Sequence, residues 1–459
     1  MGMTLKTFGK HRYLLFAFWY LALFPGRLGY DYALLARMVQ KGESTAWWGA
    51  NFYWIFRFLT FGGEHLFLIS LISLSLLTYS IYFFIWSLPI KLEYRRKALT
   101  VLMITPIYGF FGLTVSHDVF QTSGVLLASA LLFRWKFDSE FRFSKAIPVI
   151  GISVFSLLTT HTGIAIVLYI VIIILVNREV QAAIITVALT GSILFLSNFG
   201  IQEPGASSEF ADKVPRASGA IPILLLIDLK CIVQHPDAAI SDGEWIVLEK
   251  YSPRENWLEK TTCSNPDAML APLKLDRTQV KLDQELVRTF ISIVSRSPAI
   301  PFVSHIQRSA VALPPPFFLP PVNQIPWDPK IPLGEGTNVA LQSGPEVLHP
   351  SIDEPSLAKK ISLFAPLEVI AQTMTLLINQ ASWFWGWGGL WLWSIYIFLI
   401  FRIRVLKSWE SLVLTMPTLL LHLSIFAIGP SSLPRYVMAT IFQGLIFTYL
   451  IFAGRKVID

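Results

Sequence analysis

Apolar residues in this chain come in long blocks, separated by short polar punctuation rich in lysine and arginine. A block of about 20 apolar residues crosses a bilayer as one helix, and several blocks meet that length. The pattern predicts an all-α polytopic membrane protein with about 10 transmembrane helices. The first four spans are expected over about 13–27, 65–88, 98–114 and 119–133. The stretch 146–176 is apolar except at Thr159-Thr160-His161-Thr162-Gly163. As one helix it would measure about 46 Å, against a hydrocarbon core of about 30 Å. Two short spans turning at His161 fit better. Span seven follows over about 181–197, and three more over about 385–401, 410–427 and 437–453.

The basic residues set the orientation. Lys10, His11 and Arg12 precede span one, and Lys91, Arg95, Arg96 and Lys97 follow span two. Arg134, Lys136, Arg142 and Lys145 follow span four, and Arg178 follows the second short span. Arg402, Arg404, Lys407, Arg455 and Lys456 mark the later turns. Alternating spans put all of these on one side, which is the cytoplasmic side for a membrane protein. Both ends of the chain are then inside.

Three parts result. Residues 1–197 form an N-terminal transmembrane module of about seven spans, with a first outer loop at 28–60. Residues 198–360 form an extracytoplasmic domain of helices and loops. Residues 361–459 form a C-terminal module, an interfacial helix near 361–380 followed by about three spans. The first outer loop contains Tyr32–Gln40, whose apolar positions recur with helical spacing and suit an interfacial helix. In the outer domain, Ala220–Val233, Ser241–Tyr251 and Asp276–Ser297 read as helices, and Ser241, Asp242 and Glu244 have the pattern of a helix start. Its second half is proline-rich, with Pro314-Pro315-Pro316. No internal repeat of the transporter kind is visible.

Composition agrees. Of 459 residues, 54% are hydrophobic and 15% charged, where soluble domains carry about 25% charged. The net charge of +7 collects in the inside loops, so it argues for no nucleic-acid partner. The 15 tryptophans and 14 tyrosines suit interfacial belts. The first apolar block lacks a small-residue cleavage pattern and is expected to be a retained span. The two cysteines, Cys231 and Cys263, both lie in the central domain. They are either a disulfide of an oxidising compartment or two unrelated thiols.

With this topology, Asp31, His117, Asp118, His161 and Arg435 all fall at the outer face. Ionisable groups at such positions are functional candidates, since burying them is costly. Asp31 suits a general base that takes a proton from an attacking hydroxyl, or a cap for the helix near Tyr32. Arg435, held after Pro434, suits a clamp on a phosphate, or an arginine reaching to headgroups. His117 and Asp118 could hydrogen-bond a donor or acceptor, bind a metal together with His161 or Asp31, or serve structure alone. His161 could equally be a polar turn. Arg27 and Arg37 flank Asp31 and could hold a phosphate or a sugar acid. Glu64, beside His65, is a second base candidate or a simple helix start after Gly62-Gly63. Trp47-Trp48 could stack on sugar rings or anchor the loop at the interface.

A first span followed by an acid in the first outer loop, an amphipathic piece and many further spans resembles the membrane glycosyltransferases of the C-type fold (GT-C). Within that superfamily the chain is similar to bacterial enzymes that decorate surface glycans, including glucosyltransferases that modify O-antigen. Asp31 matches the catalytic acid of their first loop. Ser116-His117-Asp118 resembles their histidine–aspartate pair. Ser432-Leu433-Pro434-Arg435-Tyr436 resembles their arginine–tyrosine motif, and Ile227 to Trp257 looks like the helical part of their outer domain. The likeness spans most of the chain in architecture and short stretches in residues. Tyr30-Asp31-Tyr32 departs from a paired acid, which argues against an obligatory metal.

The resemblance implies a polyprenyl-phosphate-linked sugar as donor and a cell-surface glycan or glycolipid as acceptor. It implies inverting displacement with Asp31 as base, Arg435 and Tyr436 at the donor, and Arg27 or Arg37 as helpers. His117, Asp118 and His161 would shape the sugar pocket. No cofactor is required, and no metal is assigned. The location implied is the bacterial inner (cytoplasmic) membrane with the site facing outward, among membrane lipids and small membrane partners of the same pathway. Competing expectations are a glycan polymerase or ligase using His305, Arg308 and Arg435, a lipid-linked sugar transporter, and a non-catalytic receptor.

Overall fold

The computed structural model describes residues 10–24, 26–28, 30–43, 50–198, 220–260, 272–275, 284–296, 298–300, 302, 305–306, 366–367, 369–370, 373, 388–401, 403, 408–428 and 434–453. Trp47-Trp48, Cys263, Arg308 and most of the segment 361–380 lie outside them. The described chain is mostly α-helical, with one pair of two-residue strands. Its order begins α1 (Lys10–Ala22), β1 (Arg27–Leu28), α2 (Tyr30–Gln40), α3 (Ala50–Leu59) and α4 (Phe67–Ser87). Then come α5 (Leu92–Ile104), α6 (Pro106–Leu113), β2 (Thr114–Val115), α7 (His117–Phe137), α8 (Ile147–Leu157), α9 (Gly163–Val176) and α10 (Val180–Asn198). A central unit follows, with α11 (Ala220–Val233), α12 (Asp242–Glu249), α13 (Arg254–Leu258) and α14 (Gln284–Arg296). The chain then returns through α15 (Gly388–Phe401), α16 (Ser408–Ile428), a 3-10 turn at Pro434–Val437 and α17 (Met438–Phe452).

The bundle is built around α7. Its residues Asp118 to Phe133 are buried on every side, polar Asp118, Gln121 and Ser129 among them. α4, α8, α16 and α17 pack against it. At Gly124 the approach is so close that a Cβ would sit 2.9 Å from the Leu157 backbone nitrogen, and Ser153 Oγ donates to the Gly124 carbonyl at 3.0 Å. Only glycine allows α7 and α8 this contact.

Pairwise contacts give each helix its direction. Phe84 meets Phe133, and α4 starts beside β2, so α4 and α7 run the same way. Gln443 bonds Ser129 and Phe447 meets Phe133, so α17 also runs with α7. The end of α9 reaches the end of α7 through Trp135 and Asn177. α16 starts there, with Lys136 against Glu410, and runs the opposite way. Arg12 donates to the Arg96 carbonyl at 2.9 Å and to Thr100 Oγ1 at 3.0 Å, and Trp19 Nε1 donates to the Met103 carbonyl. α1 and α5 therefore run together. Glu179 accepts from the backbone of Phe143 and Ser144, which brings Arg178 to the start of α8.

Two helices are long and apolar enough to cross a membrane, Phe67–Ser87 and Trp409–Ala427. Phe143–Leu157, Gly163–Val176, Val180–Leu196, Gly388–Phe401 and Met438–Phe452 are apolar but shorter. Leu168, Ile172, Ile184 and Phe195 are among the large apolar side chains that α9 and α10 expose. The fold is all-α, and these surfaces are compatible with membrane association.

Several elements differ from the pattern reading. Span three is not one helix: α5 ends at Thr105, in extended conformation, because the following Pro106 disfavours the helical region for the residue before it. Residues 28–60 contain a second helix, α3, beside α2. Tyr32, Leu35, Met38 and Val39 of α2 pack with Phe52, Tyr53 and Phe56 of α3 into a separate core. The stretch 146–176 forms two helices, α8 and α9, around a turn at 158–162, as its polar break predicts.

The central unit has its own core, with Leu229, Ile232, Trp245, Leu248, Trp257 and Ile293. Cys231 is disulfide-bonded, and the chain's other cysteine is Cys263. Ser241 and Glu244 form a reciprocal capping box at the start of α12. Burial pushes the Glu244 carboxyl up, but Arg296, Ser241 and Ser292 outweigh it with hydrogen bonds and hold it at about 2. This group is depressed in the fold, so its contribution is complete above the unfolded value of about 4.3 and fades as pH falls toward 2. Glu244→Gln should cost about 2 kcal/mol at neutral pH, the full shift of about 3 kcal/mol being reduced by solvent screening, and flatten stability over that acid window. Acid titration of tryptophan fluorescence checks it; identical titrations for both proteins would sink the assignment.

Candidate functional site

The parallel ladder pairs Arg27 with Thr114 and Leu28 with Val115. It ties the end of the first apolar helix to the residues just before α7. Gly26 makes this possible with φ +121, because a Cβ there would lie 1.8 Å from Ser70 Oγ and 3.3 Å from the Leu113 carbonyl. The ladder delivers the start of α2 to the start of α7. Asp31 sits in the first turn of α2, and Tyr32 follows it.

Tyr32 makes the contact. Its hydroxyl lies 3.0 Å from Ser116 Oγ and hydrogen-bonds His117 Nδ1. Ser116 caps α7: its oxygen accepts from the Asp118 backbone N–H at 3.0 Å, and its hydroxyl donates to Asp118 Oδ2 at 2.7 Å. His117 Nε2 stands 3.4 Å from Asp118 Oδ1. Because Ser116 gives its proton to Asp118, Tyr32 donates to Ser116 Oγ and accepts from His117 Nδ1–H, which is the tautomer that satisfies all three contacts. Asp118 is 1% exposed. The His117 ring is boxed by Tyr32 and Phe52, each with its centroid 5.8 Å away.

The turn between α8 and α9 closes on the same place. Thr159 Oγ1 reaches the His117 carbonyl at 3.4 Å, and Gln121 Nε2 bonds Thr162 Oγ1. Asn51 Nδ2 donates to the Leu158 carbonyl at 2.7 Å. His161 is exposed at the tip of this turn. The 3-10 turn that carries Arg435 and Tyr436 packs against α7 as well, with Tyr436 half-buried on the main core.

Tyr32 and the turn between α8 and α9 therefore meet the start of α7, and the 3-10 turn packs on the same helix. The side chains of Asp31, Arg27, Arg37 and Arg435 lie outside the described set; their backbones place them on α2, β1, α2 and the 3-10 turn. Glu64 is exposed, in a turn closed by Thr60 and reversed by Gly62 and Gly63 at positive φ. No described contact joins it to His117 or Asp118. Among the described residues no three His, Cys, Asp or Glu side chains gather as a metal site.

Sequence reasoning passed over Tyr32, Phe52, Asn51 and Gln121. Tyr32 carried a usable signal, being one residue past the candidate acid on a helix with a buried face. Asn51 and Gln121 carried none, since amides on helices follow no pattern. Tyr32→Phe removes one buried hydroxyl from two partners. It should lower stability by about 1 kcal/mol, read as a lower melting temperature in detergent; an unchanged melt would show that the hydroxyl does not fasten α2 to α7.

The fold and site define a helical protein compatible with membrane association, with Asp118, His117 and Tyr32 gathered at one end of its bundle. Compared with known proteins, the chain matches no family model, no curated protein and no solved structure.

Proposed function

We propose that this protein is a polytopic membrane glycosyltransferase of the C-type fold, with about ten spans. It transfers a sugar from a polyprenyl-phosphate donor to a surface glycan or glycolipid acceptor. The observation that carries this reading is the fastening of the first loop to α7 through the β1–β2 pair and Tyr32. It brings the Asp31-bearing turn to His117 and Asp118.

The shared basic end of the bundle supports the orientation. Arg12, Arg96, Lys136 and Arg178 gather there through the contacts of α1, α5, α7 and α9. Positive charge of that kind belongs on the cytoplasmic side. The site then faces outward, and the disulfide-bonded Cys231 of the central unit suits an oxidising space.

In the proposed reaction Asp31 takes the proton of an acceptor hydroxyl as its oxygen attacks the anomeric carbon. The bond to the lipid phosphate breaks, and Arg435 holds the phosphate that leaves. The product has inverted configuration. Arg27 and Arg37 assist at the phosphate, and His117, Asp118 and His161 shape the sugar's surroundings.

A second reading is favoured by one observation. His305 lies 3.8 Å from Asp228 and edge-on to Phe426 near the end of α16, at 4.8 Å. A polymerase or ligase would use such an imidazole. The test is transfer of labelled sugar from a panel of polyprenyl-phosphate sugars in reconstituted membranes. Wild type is compared with Asp31→Asn, Arg435→Ala and His305→Ala. Loss with Asp31→Asn and Arg435→Ala supports the transferase; loss with His305→Ala and not with Asp31→Asn overturns it in favour of the second reading.

A further inference from the structure

One face of α16 carries four buried polar side chains, Ser411, Thr415, Thr418 and His422. Their spacing puts them in a single stripe along the helix. The stripe is hydrogen-bonded across the bundle. Thr415 Oγ1 donates to the Tyr396 hydroxyl of α15 at 3.1 Å. Thr418 Oγ1 donates to Gln443 Oε1 of α17 at 2.9 Å, and Gln443 Nε2 donates to Ser129 Oγ of α7 at 3.0 Å. His422 Nε2 shares a hydrogen bond with Thr440 Oγ1 at 2.7 Å. One amide thus joins three helices, using both of its ends.

The same helix contains Pro417, which has no N–H to give the carbonyl one turn earlier. That carbonyl, of Val413, accepts from the Tyr169 hydroxyl of α9 at 3.0 Å. The carbonyl that Pro417 leaves free is thus answered by a neighbouring helix.

Apolar contacts between helices tolerate sliding, because one methyl replaces another. A buried amide does not, since a slipped register strands its polar atoms in a low-dielectric core. Buried polar groups of this kind specify register. The three helices joined here are those that matter to the site. Ser129 lies about three turns past His117 on α7, and Gln443 about two turns past Arg435. α16 runs directly toward the loop that leads to Arg435.

We infer that Gln443, with Thr418 and Ser129, and the His422–Thr440 pair are positioning residues. They fix the separation between the Arg435-bearing turn and the His117–Asp118 start of α7. The inference rests on the transferase reading. Arg435 holds the donor phosphate, and the start of α7 carries the Asp31-bearing turn that acts on the acceptor, so a slip spoils the placement of base against donor more than the binding of the donor itself. A misplacement of about 1 Å costs about 10²-fold in rate.

The test compares Gln443→Leu with Gln443→Glu. The glutamic acid, neutral in this core, accepts from Thr418 and donates to Ser129 just as the amide does. Expected are a kcat about 10²-fold lower with unchanged donor KM for Gln443→Leu, and recovery to near wild type for Gln443→Glu. His422→Leu and His422→Gln should behave as a second such pair. Hydrogen exchange of the amides in 117–121 and 434–440 supplies a readout without activity: faster in Gln443→Leu, restored in Gln443→Glu. Unchanged kcat in folded Gln443→Leu, or a rise in KM alone, overturns the inference while leaving the transferase reading in place. Wild type that transfers from no donor, with exchange altered as expected, fells that reading and keeps the register lock. Unaltered exchange overturns the lock itself.

Discussion

Asp31→Asn is expected to lower sugar transfer by about 10²–10⁴-fold, the usual contribution of a positioned general base. Asparagine suits the test because it separates the two roles open to this residue. Asp31 lies one residue inside the start of α2, after Tyr30, so it is not the cap, and the structural role open to it is a carboxylate's attraction to a helix N-terminus, worth about 0.3–1 kcal/mol. Loss of that charge shows as a slightly lower melting temperature, and loss of a proton-accepting role shows in the rate. The Tyr32 bonds to Ser116 and His117 are untouched, so α2 should stay fastened to α7. The measurement is initial rate in reconstituted membranes, with melting temperature as the folding control. Equal rates in the two proteins would remove the base from the first loop.

The second large effect is on the central unit. Cys231→Ser should destabilise it by about 3–4 kcal/mol, the value for a disulfide closing a loop of this order. Cys231 is 7% exposed and packed with Ile232, Trp245 and Trp257, so the bond reinforces the one core this unit has. That core is small, and small cores bury too little surface to stand alone. Lys230, beside it, is buried and donates to the carbonyls of Asn256 and Trp257 at 2.8 Å. Loss of the cross-link loosens that contact as well. Expected is an earlier melting transition for the unit, followed through Trp245 and Trp257. Reductant should mimic the substitution in the wild type and add nothing to the variant. A wild-type transition indifferent to reductant would show that the bond carries no stability.

How far the sequence could be read differs from element to element. Helix starts and breaks were legible where one residue type forces them. Ser241 and Glu244 announced α12, and the polar run at His161 announced the turn between α8 and α9. The break before Pro106 was equally local and was passed over, because the apolar pattern continues across it. Helix α3 escaped notice for the opposite reason. Its aromatic residues Phe52, Tyr53 and Phe56 look like interfacial belt and turn out to be core.

The candidate site was legible as a list of residues and illegible as a constellation. Charge alternation along the chain places Asp31, His117, His161 and Arg435 at one end. It says nothing of Tyr32 between Ser116 and His117, or of Phe52 against the imidazole.

The sequence alone determined the all-α class, the order of apolar helices and the basic end of the bundle. These follow from local periodicity and charge, which depend on neighbours a few residues apart. Tertiary structure decided the rest. Tyr32 and Ser116 are 84 positions apart and Ser129 and Gln443 are 314 apart. No repeating pattern links such partners, because a single hydrogen bond between helices leaves no periodicity in either strand of sequence. Only the packing of α2 on α7, and of α16 and α17 on α7, brings these groups within reach.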